Sequence, residues 1–185
     1  MTPVSAMASL EKDAYVAAFQ SYESKLSDKL PVWLRDLRRQ AARRFSDLNF
    51  PTVRDEAWRY TDLKPLLGNR FFFDFGSGRE KADLARLEPF LFGRPELNRL
   101  VFVNGFCVPS LSRVDGLGER VFAGNLAEAF LRDSLPAAGN VARHAAFEAN
   151  IFSALNTAFL NEGAFVWLGE GQELSEPLHL VFASL

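Results

Sequence analysis

The chain has one cysteine, Cys107, in 185 residues. An internal disulfide is therefore excluded, as is any zinc or cluster site whose ligands are all cysteines of this chain. A lone thiol fits a reducing cytoplasm, which is the expected location. Histidine is nearly as scarce, with only His144 and His179. Neither belongs to a His-Glu-x-x-His pair, and no serine sits in a Gly-x-Ser-x-Gly elbow, so metalloprotease and hydrolase chemistry lack their residues. An excess of one charge is also missing: 21 basic and 23 acidic residues give a net charge of -2 and no overall field for nucleic acid or anionic lipid. No window approaches the roughly 20 apolar residues of a membrane span, and Met1 to Ser9 lack the basic start and apolar run of a secretion signal.

Phosphate-binding loops are absent too. Gly76-Ser77-Gly78 and Gly116-Leu117-Gly118 each open a dinucleotide-like pattern, but Lys81 and Val121 stand where a third glycine would let helix and strand pack closely. Both read as turns.

What is abundant is apolar surface, 48% of the chain, with 18 phenylalanines spread from Phe19 to Phe182. That is enough for a packed aromatic core. Residues 1–9 read as a disordered start. Tyr15, Phe19, Tyr22 and Leu26 then recur at steps of four and three, the spacing of one helical face. Pro31 suits the opening of a second helix, whose apolar stripe is Leu34, Leu37, Ala41, Phe45 and Leu48. Its other side carries Arg35, Arg38, Arg39, Arg43 and Arg44, diluted by Glu23, Asp36 and Asp47, which favours a solvated face over a phosphate-binding one. Asn49-Phe50-Pro51-Thr52 ends this helix, since the residue before a proline is pushed out of the helical region.

An irregular stretch from Arg54 to Leu67 precedes Arg70 to Phe75, a strand or buried loop, and Leu84, Leu87 and Leu91 mark another helix. Asn104-Gly105 between apolar runs predicts a β-hairpin. A strand over Arg120 to Ala123, a helix Leu126 to Arg132 capped by Asn125, and a loop at Pro136 to Gly139 follow. Phe147, Ile151, Leu155 and Phe159 predict a last and longest helix, stopped at Gly163 by a left-handed residue. Ala164 to Leu168 and Leu178 to Phe182 are apolar strands with no following element to cover them, as though a larger sheet continues.

Chemistry-bearing residues are few. His144 and His179 read as surface or packing histidines, and Cys107 as a small buried residue despite Arg99, Arg113 and Arg120 in its wider neighbourhood. Asp55 and Glu56 are adjacent, so on a helix they point apart and cannot act as an acid/base pair. No nucleophile, base and orienting group occur together, and no catalytic or metal-ligating residue is assigned.

The stretch Phe50 to Leu66 is the most distinctive. Pro51, Thr52, Arg54, Glu56, Trp58, Tyr60, Thr61 and Leu63 lie close together, with Thr52 and Thr61 placed to cap turns and Trp58 and Tyr60 offering apolar bodies with polar tips. The physical reading is a clamp that anchors an irregular connection to the helices. The Pro-Thr pair followed by Glu-x-Trp-Arg-Tyr-Thr-x-Leu resembles the N-terminal segment of the SufB/SufD family of iron-sulfur cluster assembly proteins. Phe102-Val103-Asn104-Gly105, the run Phe152 to Phe159 followed by Glu162 to Phe165, and Glu176-Pro177-Leu178-His179-Leu180 are similar to its SufD branch.

The resemblance implies a non-catalytic scaffold in a complex with SufB-like and SufC-like (ABC ATPase) subunits, handling an iron-sulfur cluster elsewhere and holding no cofactor in this segment. It also implies an α+β fold: an N-terminal helical domain with a β-hairpin over residues 10–163, leading at 164–185 into the first strands of a right-handed parallel β-helix that the chain leaves incomplete. The family's cluster-handling cysteine and histidine positions fall later, and none is carried onto Cys107 or His179. The competing reading is an independent protein- or nucleic-acid-binding module that uses the arginine face of the second helix, or the phenylalanine-rich segment Arg70 to Phe75.

Overall fold

Alanine, methionine and leucine, all good helix formers, populate the chain from Val4 onward, and in the computed structural model helix α1 spans Val4–Leu26. Its first turns fall within the stretch 1–9 expected to be a disordered start. The structure describes residues 4–26, 30–69, 71, 84–90, 94, 96–132 and 135–184. The chain divides into two units, Met1–Phe73 with Ala138–Leu160, and Asp74–Ala137 with Asn161–Leu185.

In the first unit, α2 (Val32–Asp47) follows Pro31, whose carbonyl accepts the amides of Leu34 and Arg35. Its buried stripe is Leu34, Arg38, Ala41 and Phe45, at steps of four, three and four. The partner of this stripe is α7 (Ile151–Ala158), which buries Ile151, Ala154, Thr157 and Ala158. Ala41 and Ala154 are both fully buried, and such small side chains let two helices approach closely. Phe19 of α1 joins Ala41 and Ala158 in one apolar cluster, while Phe45 joins Ile151 and Ala154 in another.

The helix expected to include Phe147 is shorter than its apolar spacing predicts. Asn150, in an extended conformation, accepts the amides of Phe152 and Ser153 on its side chain and so starts α7 at Ile151. The helix ends at Ala158, five residues before Gly163. At 23 residues, α1 and not α7 is the longest helix among the described residues.

The second unit is built around β1 (Arg99–Val103), all five residues of which are buried. Asn104 (φ 50°) and Gly105 (φ 86°) turn the chain into β2 (Phe106–Cys107), with Phe102 opposite Cys107 and Val103 opposite Phe106. Two consecutive positive φ values are what a right-twisting two-residue hairpin requires, and Asn-Gly supplies them with least strain. On its other side β1 pairs in parallel with β5 (His179–Ala183), in register from Arg99 with His179 to Val103 with Ala183. A central strand is covered on both faces. Val101 and Val103 pack with Leu87, Val108, Leu111 and Val181, while Leu100 and Phe102 pack with Cys107 and Ala123.

A second, antiparallel sheet pairs β3 (Val121–Asn125) with β4 (Ala164–Leu168), the latter as expected. Asn125 caps α5 (Leu126–Ala129), which is a single turn and not the helix to Arg132 that the sequence suggests. The expected loop at Pro136 to Gly139 contains another single turn, α6 (Ala137–Asn140). Likewise α4 (Leu84–Leu87) passes directly into a 3-10 turn at Glu88–Phe90 that contains Pro89, which has no N–H to continue a helical ladder. Leu91, the Gly76 to Gly78 turn and, apart from exposed Phe71, the run Arg70 to Phe75 lie outside the described residues.

Candidate functional site

The distinctive stretch begins where α2 stops, with Leu48 already extended and the chain running out through Asn49 to Thr52. Lys12 of α1 donates from Nζ to the carbonyls of Ser46 and Leu48, at 2.6 and 2.8 Å, placing a cation on the negative end of α2. Thr52 and Asp55 then fasten each other. The Thr52 amide and hydroxyl both donate to Asp55 Oδ2 (2.7 and 3.1 Å), while Thr52 Oγ1 accepts from the Arg54 amide (3.2 Å). These bonds close a tight turn, and they hold the Asp55 carboxyl below the usual carboxylate range, chiefly through the Thr52 amide.

A 3-10 turn, Glu56–Trp58, follows, and from it half-buried Trp58 packs on Phe152 of α7 with ring centroids 5.4 Å apart. Phe152 meets Phe50 at 5.9 Å, Phe50 meets Phe45 at 6.1 Å, and Phe45 meets Tyr15 at 5.7 Å. A continuous aromatic row thus joins the clamp to α2 and α1. Leu63 and Leu67 are buried at the start and end of the single turn α3 (Lys64–Leu67). The Lys64 amide is taken by Asp62 Oδ1 (3.0 Å), so Asp62, and not Thr61, makes the side-chain bond at that turn. Tyr60 is 92% exposed, its ring beneath the Arg59 guanidinium at 5.6 Å. Pro51 is half-buried, and Arg54 is exposed. Glu56 pairs with Arg59 at 3.9 Å, both well exposed.

Two depressions flank Asn49 to Pro51. A groove of about 530 Å³ is floored by Val16, Phe50, Leu63 and Leu67, with Lys12, Asp13, Asp62 and Lys64 also on its lining. A cleft of about 300 Å³ lies against Asp55, Trp58 and Phe152.

The arginine face of α2 differs from expectation. Arg38 is 1% exposed. Its Nε donates to the Ala158 carbonyl at 2.8 Å, and its guanidinium lies over the rings of Tyr22 (5.0 Å) and Phe19 (5.9 Å). Nη2 is buried without a hydrogen-bond partner, and burial pushes the guanidinium below its usual pKa, opposed by Tyr22 and Glu23. Position 38 is four after Leu34 and three before Ala41, so its burial was readable from spacing even though its charge argued against it. Arg39 pairs with Glu23 at 2.6 Å, and Arg44 donates to the Glu148 carbonyl.

Cys107 is buried, and its amide donates to Glu162 Oε2 at 3.2 Å. His179 lies in β5 as expected, whereas His144 is exposed in a bend and not on a helix. Gly116 and Gly118, with φ of 65° and 88°, lie in the connection before β3, as a turn reading requires. Among the described residues no group of three or more histidine, cysteine, aspartate or glutamate side chains converges on a metal position. None of the described helices is long and apolar enough to cross a membrane.

Residues 9–180 match the family model described as SufBD protein N-terminal region. The chain is also 32% identical over 179 residues to the iron-sulfur cluster assembly SufBD family protein slr0076 of Synechocystis sp.. That alignment takes in 95% of this chain and 37% of the relative, so the chain spans little more than a third of that protein's length.

Proposed function

The chain belongs to the SufBD family, and on that premise we propose that it serves as a non-catalytic, SufD-like scaffold segment of an iron-sulfur cluster assembly complex. The observation that carries this reading is the family match, which runs through both units of the fold from residue 9 to residue 180. The Asn104-Gly105 hairpin, the helix α7 and the Glu176 to Leu180 approach to β5 support the SufD branch, because each is a SufD-like stretch of sequence that has its own place in the fold.

In this reading the iron-sulfur cluster is cargo. SufB-like and SufC-like ATPase subunits are the partners, the cytoplasm is the setting, and the chain supplies architecture. Support for a structural role comes from Cys107, a packed core residue, and from the motif itself: Thr52 is locked to Asp55, Trp58 rests on Phe152 and Leu63 is buried. Residues 10–163 form the N-terminal domain and 164–185 begin a right-handed parallel β-helix. Support for a sheet that continues comes from the apolar Leu180 (41% exposed) and Phe182 (64%) on β5, while the pairings of β5 with β1 and of β4 with β3 tie 164–185 to strands of the preceding domain.

The alternative module on the arginine face of α2 has less to bind with, since Arg38 is buried and Arg39 and Arg44 are bonded to Glu23 and to a carbonyl, while Arg43 is exposed.

Co-expression of the complete natural polypeptide with SufB-like and SufC-like subunits tests the proposal. One stoichiometric complex that acquires an iron-sulfur cluster is expected. A polypeptide that elutes alone, with cluster loading of the other subunits unchanged by its removal, overturns it.

A further inference from the structure

The cleft beside the clamp has an unusual lining. Phe50, Trp58 and Phe152 give it aromatic walls, and Asn49 and Asn150 give it polar edges. Asp55 is the one ionisable residue among those lining it. Its Oδ2 takes both Thr52 hydrogen bonds, which leaves Oδ1 outside them. Those bonds also keep the carboxyl ionised well into the acid range. Arg44 donates to the carbonyl of Glu148, one residue before Ala149 in the lining.

An exposed carboxylate on the lining of an aromatic-walled cleft is complementary to one class of group. The ring quadrupoles attract a cation above their faces, the carboxylate pairs with it, and a flat guanidinium does both at once. An anion would meet the Asp55 charge, and a purely apolar side chain would leave that charge without a partner. About 300 Å³ is ample for one long side chain and lies at the small end of ligand sites.

We propose that the Asp55–Trp58–Phe152 cleft is a docking pocket for an arginine side chain presented by a protein partner. The rigidity of the motif then acquires a use: the hydrogen bonds of Thr52 fix the carboxylate, and the contact with Phe152 fixes the indole, so neither is ordered at the moment of binding. The inference stands apart from the assembly reading, because it rests on the cleft alone.

The test is a titration of the isotope-labelled chain with acetyl-Gly-Arg-Gly-amide, following the Trp58 indole and Asn150 side-chain amide signals by NMR. The citrulline tripeptide, of the same shape but uncharged, is the control. Saturable shifts at both signals are expected, with affinity about fivefold above that for citrulline. Asp55→Asn, which keeps an acceptor for Thr52, should reduce the arginine peptide to the citrulline level, and Trp58→Phe should weaken it while the remaining spectrum keeps its dispersion. Equal behaviour of the two peptides, shifts confined to other residues, no saturation by about 50 mM, or an Asp55→Asn chain that binds as before would overturn the proposal.

Discussion

Arg38 Nε donates a 2.8 Å hydrogen bond to the carbonyl of Ala158, the last residue of α7. A guanidinium on α2 thereby occupies the end of another helix where carbonyls lack partners within the helix and where the dipole favours a cation. The rings of Tyr22 and Phe19 from α1 hold it there. One side chain thus ties three helices of the first unit together.

Replacing Arg38 tests that tie. Arg38→Ala removes the charged hydrogen bond and the aliphatic packing, and a loss of about 3 kcal/mol in urea unfolding is expected. Arg38→Met restores much of the volume between the rings without a buried charge, so it should cost about half as much or less. Equal losses for the two would show that the hydrogen bond, and not the filling of the aromatic pocket, is what matters.

Asp55 makes the clamp sensitive to acid. Its carboxyl lies below the ordinary value because Thr52 donates to the ionised form. A depressed folded-state pKa contributes stability that is complete above the unfolded value of about 3.9 and lost as pH falls through the folded value beneath it. Hydrogen exchange of the Thr52 amide should therefore accelerate, beyond its intrinsic pH dependence, only below about pH 4. In Asp55→Asn that added acceleration should vanish.

Glu162 links β2 to β3 in the second unit. Its Oε2 accepts from the Cys107 amide on β2 and from Asn125 Nδ2 (2.7 Å), and the Asn125 side chain also accepts from the Gly163 amide (3.3 Å). Glu162→Ala leaves two donors without their acceptor, and a cost of about 1–3 kcal/mol is expected. Exchange of the Cys107 amide should speed up in that variant. Glu162→Gln, which still presents an oxygen, should retain most of the protection.

Features carried by neighbouring residues were legible in the sequence. Asn104-Gly105 supplied both positive φ values of its turn, Asn125 capped α5, and the α+β character followed from where helical spacing gives way to apolar runs. Long-range pairing was not. Nothing local in Arg99–Val103 says that its parallel partner is His179–Ala183, because that register is set by the apolar faces both strands bury. Arg38 was misread because its charge outweighed its position, whereas the aromatic rings of α1 and a helix-end carbonyl supply the setting that lets a guanidinium be buried.

The same limit applied at the clamp. Its unusual residues marked the stretch, but the contact of Trp58 with Phe152, 94 positions away in sequence, and the exposure of Tyr60 depend on where α7 packs. Asn150 was the missed signal: a capping residue directly before an apolar run, which set the start of α7 and with it the position of Phe152.

The most direct measurement is the iron-sulfur content of the complex assembled from SufB-like and SufC-like subunits with the complete polypeptide, compared with the same polypeptide carrying Cys107→Ala. The proposed scaffold role, with Cys107 a packed side chain, predicts equal iron and sulfide per complex for the two, and a marked loss when the polypeptide is omitted. A cluster lost on Cys107→Ala from a complex that remains folded and fully associated would contradict the account.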